Sequence, residues 1–182
     1  MKYLTKVLYF LLLLSFPVKA QFTPSTEKNV KKSIVHKTAS ADNYQTLSAV
    51  MKATDLEELL DKSGPFTVFA PSDSAFENLS SISVEDLLNP ENKKELKDIL
   101  TYHIVAGKLS ASKILRAMSR GRGKATFTTI HGDDITATMQ GIDIVLTDGF
   151  GNSAKIVVAD SNQRNGIIHE IDTVILPGKV QS

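Results

Sequence analysis

Four histidines are the residues best suited to acid–base or metal chemistry, and they are scattered along the chain at positions 36, 103, 131 and 169. No two are four residues apart, and the chain contains no cysteine. A zinc site collects closely placed nitrogen and sulfur ligands. We therefore predict no metal and no other cofactor, and we expect His103 and His169 to be buried, hydrogen-bonded side chains.

Four aspartates offer oxygen ligands, at positions 133, 134, 143 and 148. Their spacing is not that of an EF-hand calcium loop. Asp133 and Asp134 stand in HGDD, and turn formation explains them. The aspartates therefore add no metal site to the prediction.

A predicted strand–turn–helix corner, TVFAPSDSAF from Thr67 to Phe76, is the place to look for a nucleophile. A nucleophile elbow needs G-x-S-x-G, which the chain lacks. Pro71 ends strand pairing, and Ser72 or Asp73 can accept hydrogen bonds from the next helix. Phe76 then faces the core. We predict that this corner holds the fold and that the protein is not an enzyme; a hydrolase is the least favoured alternative.

The segment KLSASKILRAMSRGRGK, residues 108–124, carries six basic residues and no acid. It is either a solvated loop or a contact for an anion such as an acidic polysaccharide. We predict the contact residues to be Lys113, Arg116, Arg120, Arg122 and Lys124, with the last three in a flexible tip. Nucleic acid is not expected, because no aromatic residues interleave with these charges.

The first 20 residues predict a secretory signal: Lys2 and Lys6, an apolar run from Val7 to Phe16, and Val18-Lys19-Ala20. The run is too short for a membrane-spanning helix. Residues 21–32 form a polar, flexible leader. Cleavage would remove three lysines and leave 18 basic and 20 acidic residues, a formal charge of −2. Without cysteine, the exported fold must be held by its own core.

Hydrophobic spacing predicts helices in the first half and strands in the second, an α+β layout around one core. One helical stripe joins Leu56, Leu59 and Leu60, and Ser110 or Ser112 caps a later helix. From Ala125 the period is two. Asn165-Gly166 is the strongest turn signal. The alternating apolar set is Phe127, Ile135, Ala137, Met139, Ile142, Ile144 and Leu146.

Three stretches resemble the fasciclin domain: GPFTVFAPSDSAF, YHIVAGKLSASKI and NGIIHEIDTVILP, in that family's order. The resemblance spans residues 33–177, with a tail at 178–182. It implies a wedge of two β-sheets with a helical group packed at one end. The signature residues it marks are Thr67, Phe69, Pro71, Asp73, Phe76, Tyr102, His103, Gly166, His169, Asp172 and Pro177.

The resemblance implies a secreted, periplasmic or cell-surface module for adhesion, whose partner is an extracellular protein or polysaccharide. The alternative is a carrier of a small apolar ligand or pigment. It also raises the expectation that Asp73 and His103 lie close together. Integrin-type Asp-Ile contacts of some relatives are not carried over, because VADSNQ stands at that place and Ile99 of Asp98-Ile99 lies on an apolar helix face. Asn78-Leu79-Ser80 matches a glycosylation acceptor.

Overall fold

The computed structural model describes residues 31–79, 83, 86 and 88–178. The predicted signal and most of the predicted leader lie outside this range. The described α-helices are α1 (Ile34–Ala39), α2 (Gln45–Ala53), α3 (Leu56–Lys62), α4 (Asp73–Glu77), α5 (Lys93–Tyr102) and α6 (Ala111–Arg120). The strands are β1 (Phe66–Pro71), β2 (Ile104–Ala106), β3 (Lys124–Thr128), β4 (Asp134–Gln140), β5 (Asp143–Thr147), β6 (Ser153–Gln163) and β7 (Gly166–Ile171).

The strands lie in the order β2-β1-β7-β6-β5-β4-β3. The long strand β6 joins two halves: Ser153–Lys155 pairs with β5, and the remainder pairs with β7. A bridge from Val105 of β2 to Thr129 after β3 brings the outer edges together. The result is the predicted α+β fold, a nearly closed two-part wedge with helices at one end.

Strand β1 lies at the centre of the molecule, and all six of its residues are buried. It pairs in parallel with β7 and antiparallel with β2. Because side chains alternate along a strand, Val68 joins the core beneath the helices, whereas Phe69 joins the core inside the wedge. One buried strand therefore supports both cores.

The two cores are built by different elements. The helical core receives the buried faces of α1, α2, α3 and α5, including Leu47, Leu60 and Leu96. The core inside the wedge is filled from α6 by Ile114 and Met118. Ser110 caps α6, since its side chain accepts from the Lys113 N–H, as one of the two predicted alternatives has it.

Three hydrophobic assignments from the sequence are wrong. Leu59 is 42% exposed, because α3 turns only Leu56 and Leu60 inward. Met139 is 40% and Ile142 is 94% exposed. They stand at the tip of the β4–β5 hairpin, where Gly141 adopts a positive φ of 62° and the alternation ends.

The last hairpin turn is displaced by one residue from its prediction. Gly166 already pairs with Gln163, so the turn consists of Arg164 and Asn165. A Cβ at Gly166 would lie 2.0 Å from the Phe66 carbonyl oxygen, so the close approach of β1 requires glycine here. Among the described residues, no helix has the length and apolar character needed to cross a membrane.

Candidate binding surfaces

The corner after β1 is built as a helix start. Ser72 precedes α4 with extended dihedrals, and its Oγ accepts from the Ala75 N–H at 3.3 Å. The same Oγ lies 2.9 Å from the Ser74 Oγ. Phe76 is 3% exposed and belongs to the helical core. The serine hydroxyls therefore serve the local fold and leave no arrangement of nucleophile and base at the corner.

Asp73 does not pair with His103, and that expectation is wrong. The Asp73 carboxylate instead accepts from the backbone N–H groups of Gln45 at 3.1 Å and Thr46 at 2.8 Å. These are the first N–H groups of α2, whose own N-cap residue, Tyr44, makes no side-chain cap. Asp73 is thus a cap supplied by a distant part of the chain.

His103 is buried at the C-terminal end of α5, as predicted. Its Nδ1–H donates to the Ile99 carbonyl at 2.7 Å, and its Nε2 accepts from the Ile175 N–H at 3.3 Å. Burial lowers the pKa of His103 to about 4, although the Ile99 carbonyl and the charge of Asp148 act in the opposite direction. The imidazole is therefore neutral at pH 7 and ties α5 to the final segment of the domain.

His169 occupies the equivalent role in the wedge, and its side chain is fully buried as predicted. Its Nε2–H donates to the Leu109 carbonyl at 2.7 Å, and its Nδ1 accepts from the Asp160 N–H at 3.3 Å. Burial lowers its pKa as well. The ring stacks on Phe69 at a centroid distance of 5.7 Å. Both nitrogens of both buried histidines are thus committed to structural hydrogen bonds.

The other signature residues hold loops and strand ends. Thr67 Oγ1 donates to the Gly107 carbonyl and accepts from the Leu109 N–H, each at 2.8 Å. Asp172 Oδ1 accepts from the Lys155 N–H at 2.8 Å. Pro71 is the last residue of β1, and Pro177 is buried. Each of these contacts has a structural role.

Asn165 is a structural residue whose side-chain role the sequence did not reveal. Its Oδ1 accepts from the Ile34 N–H at 2.9 Å, its Nδ2 donates to the Leu60 carbonyl, and its own carbonyl accepts from the Phe66 N–H. One turn residue thereby joins α1, α3 and β1. The Asn165-Gly166 signal predicted a turn here, but no local sequence pattern predicted the three distant partners of Asn165.

A basic face, defined here as Lys113, Arg116, Arg120, Arg122 and Lys124, covers the outside of α6 and the turn after it. All five residues are exposed. Among the ion pairs within the described chain, none uses these side chains, whereas Lys62, Lys93, Lys155 and Arg164 each meet a carboxylate. All five predicted anion-contact residues are therefore exposed on α6 and the turn after it, and none is in an ion pair with an acidic side chain of the described chain.

The basic turn, Arg120–Lys124, is hydrogen-bonded rather than an open tip. The Gly121 N–H donates to the Ala117 carbonyl and the Gly123 N–H to the Met118 carbonyl, both at 2.9 Å. The first is an ordinary helical bond, and the second spans six residues, like the longer bond of a Schellman helix end. Arg122 has a positive φ of 57° and Gly123 one of 95°. The backbone therefore holds Arg120, Arg122 and Lys124 in one defined arrangement.

A polar cleft of about 860 Å³ lies at the opposite end of the β3–β4 hairpin, a feature that sequence reasoning missed. It is lined by Lys94, Asp98, His131, Gly132, Asp133, Asp134, Gly149 and Gly178. His131 Nδ1 lies 3.3 Å from Asp133 Oδ2. The His131 ring meets Tyr102 edge to face at 6.3 Å. In the sequence, the HGDD segment of this region predicts a turn and nothing more.

Carboxylates outnumber cationic side chains in the cleft, where Asp98, Asp133 and Asp134 stand against Lys94. Burial raises the pKa of Tyr102 to about 12, and the charges of Asp148, Asp133 and Asp134 add to that rise. Asp148 itself is 7% exposed and accepts from the N–H groups of Phe150, Asn152 and Leu176. In the described part of the chain, no group of three or more histidine, aspartate or glutamate side chains is arranged to hold a metal ion.

Asn78 follows α4 and its side chain is exposed. Ser80, the third residue of the predicted glycosylation acceptor, lies outside the described residues. Modification of Asn78 stays a prediction.

Comparison with known proteins gives one family. The model of the Fasciclin domain matches residues 42–177. Protein sll1483 of Synechocystis is 39% identical over 145 residues, which cover 80% of this chain and 73% of that protein. The cell surface glycolipoprotein MPB83 of Mycobacterium bovis is 32% identical over 114 residues, 63% of this chain and 44% of that one.

Among solved structures, the domain pair from the insect cell adhesion molecule Fasciclin I matches with a TM-score of 0.59 and 22% identity. The match covers 72% of this chain and 44% of that chain. At this identity the likeness concerns the fold, and it agrees with the wedge and helical group described above.

Proposed function

The chain belongs to the fasciclin domain family, and from that membership we propose that it is a non-enzymatic binding and adhesion module working outside the cytoplasm. We propose further that it contacts an anionic extracellular partner, foremost an acidic polysaccharide, through the basic face. The observation that carries this proposal is the ordered row of exposed basic side chains without bonded carboxylates.

The helix supports a linear polyanion as the partner. Lys113, Arg116 and Arg120 follow a spacing of three and four residues, so they lie along one side of α6. The basic turn continues the row toward β3. An extended polymer that repeats a negative charge can meet several of these groups at once. The partner is the polymer rather than nucleic acid, because no aromatic side chain is interleaved to stack on bases.

We propose that the module is not an enzyme, because its candidate reactive side chains are already hydrogen-bonded within the fold. The Ser72 hydroxyl caps α4, and both nitrogens of each buried imidazole are hydrogen-bonded to backbone groups. A general base needs a free acceptor atom within reach of a substrate proton, and these imidazoles have none free. The alternative of an apolar-ligand carrier gains no support from the cleft, whose lining is polar.

Export is part of the same proposal. Residues 1–20 begin with basic residues, continue with an apolar run and end with small residues, which is the pattern of a secretory signal. We propose that this segment directs secretion or surface display. Exported material should begin at Gln21 on N-terminal sequencing. Intact protein still carrying Met1 outside the cell would contradict this.

Binding to immobilised heparin and to polygalacturonate tests the basic face. The triple variant Arg120→Ser, Arg122→Ser and Lys124→Ser should bind about tenfold to a hundredfold more weakly, since each exposed charge contact contributes up to about 1 kcal/mol. Wild-type binding should fall with added salt, which screens exposed charges. Unfolding of the variant should stay within about 0.5 kcal/mol of wild type.

A matched control removes three exposed lysines elsewhere, Lys52→Ser, Lys62→Ser and Lys97→Ser, with the same change in net charge. The control should retain wild-type affinity. Equal weakening of both triple variants would show that net charge alone attracts the polymer and that the basic face is not the site.

A further inference from the structure

The β3–β4 hairpin separates two surfaces of opposite charge. The basic turn enters β3 at Lys124, which pairs with Thr138 of β4. At the other end of the pair, Thr128 lies opposite Asp134, beside the polar cleft. Four residue steps along a strand separate the two ends by about 14 Å. Both surfaces are therefore fixed to one rigid element and face opposite ends of it.

The cleft has the shape and charge to receive cationic side chains. Asp98 of α5 contributes one carboxylate, and Asp133 and Asp134 contribute two from the hairpin turn, against the single ammonium group of Lys94. Gly132, Gly149 and Gly178 add no side chains to the lining. Asp148, whose buried carboxylate acts on Tyr102, directly precedes the lining residue Gly149. A guanidinium or ammonium group entering the cleft would meet acceptor oxygens from two directions.

We propose that the polar cleft is a docking site for the basic turn of a second copy of this chain. The occupant follows from charge complementarity: Arg120, Arg122 and Lys124 are exposed together and share in none of the ion pairs of the described chain. The cleft is polar and acidic, so an arginine or lysine suits it better than an apolar segment does. The basic turn is already ordered, so docking it requires little further ordering.

Such a contact is heterologous, because one copy uses its basic turn and the next uses its cleft. A heterologous contact joins copies head to tail, into open chains or, where the rotation closes, into rings. The contact rests on a few exposed charges, so it should be weak and sensitive to salt. The proposal goes beyond polymer binding, and an anionic polymer on the basic turn would compete with self-association.

A charge-swap experiment by sedimentation velocity, without any polymer present, tests the contact. One variant carries Arg120→Glu, Arg122→Glu and Lys124→Glu; the other carries Asp98→Lys and Asp134→Lys. Asp133 is left intact because its Oδ2 accepts from the Gly178 N–H. At low salt the wild-type sedimentation coefficient should rise with concentration, and 0.5 M NaCl should abolish the rise. Each variant alone should remain monomeric.

An equimolar mixture of the two variants should regain association, because the acidic turn of one now meets the basic cleft of the other. The control Lys52→Glu, Lys62→Glu and Lys97→Glu should associate like wild type. A wild-type protein that stays monomeric at low salt up to millimolar concentration overturns the proposal, as does association that survives in either variant. A mixture of the two charge-swap variants that stays monomeric overturns it too. If circular dichroism shows that the lysine variant is misfolded, Asp98→Asn with Asp134→Asn replaces it in the test for lost association only, because a neutral cleft cannot attract the acidic turn. Association of that asparagine variant like wild type at low salt would overturn the proposal. Since no polymer is used, failure here leaves the polysaccharide assay standing.

Discussion

Each of the two buried histidines is held as a neutral ring in one tautomer, and the two tautomers differ. His103 donates from Nδ1 and accepts at Nε2, whereas His169 donates from Nε2 and accepts at Nδ1. Adding a proton to either ring turns the accepting nitrogen into a second donor that faces a backbone N–H. Protonation therefore breaks a tertiary hydrogen bond and places a charge in the core.

Stability should fall with acid through these two residues. The pKa of each is lower in the folded protein than the ordinary 6.5, so the stabilisation is fully present above about pH 6.5 and is lost as the pH falls toward the folded value. For His103 the folded value of about 4 corresponds to a loss of about 3 kcal/mol in all. Urea unfolding at pH 7, 6 and 5 measures how the free energy of unfolding depends on pH. This range lies above the usual pKa values of carboxyl groups.

Two histidine variants distinguish the effect of a buried imidazole on stability from that of an exposed one. His103→Gln should be less stable at pH 7 but should lose less stability between pH 7 and pH 5 than wild type does. His36→Gln, at an exposed position, should keep the wild-type slope. An unchanged slope in His103→Gln would contradict the assignment of that ring as a buried neutral group.

At the scale of elements, the corner after β1 shows what local sequence predicts and what it does not. Ser72 and Ser110 precede their helices directly, and each caps the helix that follows it, as one of the two candidates that the pattern offered at each start. Asp73 also stands at a helix start, but its carboxylate turns to α2, 27 residues away in the chain. A cap delivered through tertiary contact has no local spacing to reveal it.

Substitutions at the corner should rank by what each side chain touches. Phe76→Ala should cost about 3–5 kcal/mol, because it opens a cavity in the helical core. Asp73→Ala should cost about 1–2 kcal/mol, because it leaves two N–H groups of α2 without their cap. Ser74→Ala should lie within about 0.5 kcal/mol of wild type, since Ser74 is exposed. Chemical denaturation of the three variants gives the order.

A functional corner would behave differently. If Asp73→Ala unfolded at the wild-type denaturant concentration yet lost binding to polymer or partner, the corner would be a site of recognition. The structural account requires the reverse pattern, with lowered stability and unchanged binding, because Asp73 faces α2 and not the basic face.

Helix and strand types could be read from periodicity, but hairpin tips and residue roles could not. Met139 and Ile142 continue the apolar alternation, yet the β4–β5 tip projects from the sheet and leaves them exposed. Asn165 signalled a turn, whereas its side chain joins α1 to α3. In both cases the outcome depends on how segments that are distant in the sequence are placed in the fold. A local sequence pattern does not contain that information.

For the whole molecule, the distribution of charge matters more than its sum. The full chain has a formal net charge of +1, which gives no reason to expect an anionic partner. The fold nevertheless gathers five basic residues on α6 and its turn and three carboxylates at the cleft. A protein that is nearly neutral overall thus presents a basic surface and an acidic one at opposite ends of a hairpin.

The most direct test of the central claim is a heteronuclear NMR titration of the ¹⁵N-labelled protein with a short heparin fragment. The account predicts that amide shifts concentrate at Lys113, Arg116 and the basic turn, and that they diminish as salt is added. Shifts centred instead on the helical end or the polar cleft, or no shifts at low salt, would contradict a polyanion contact on the basic face.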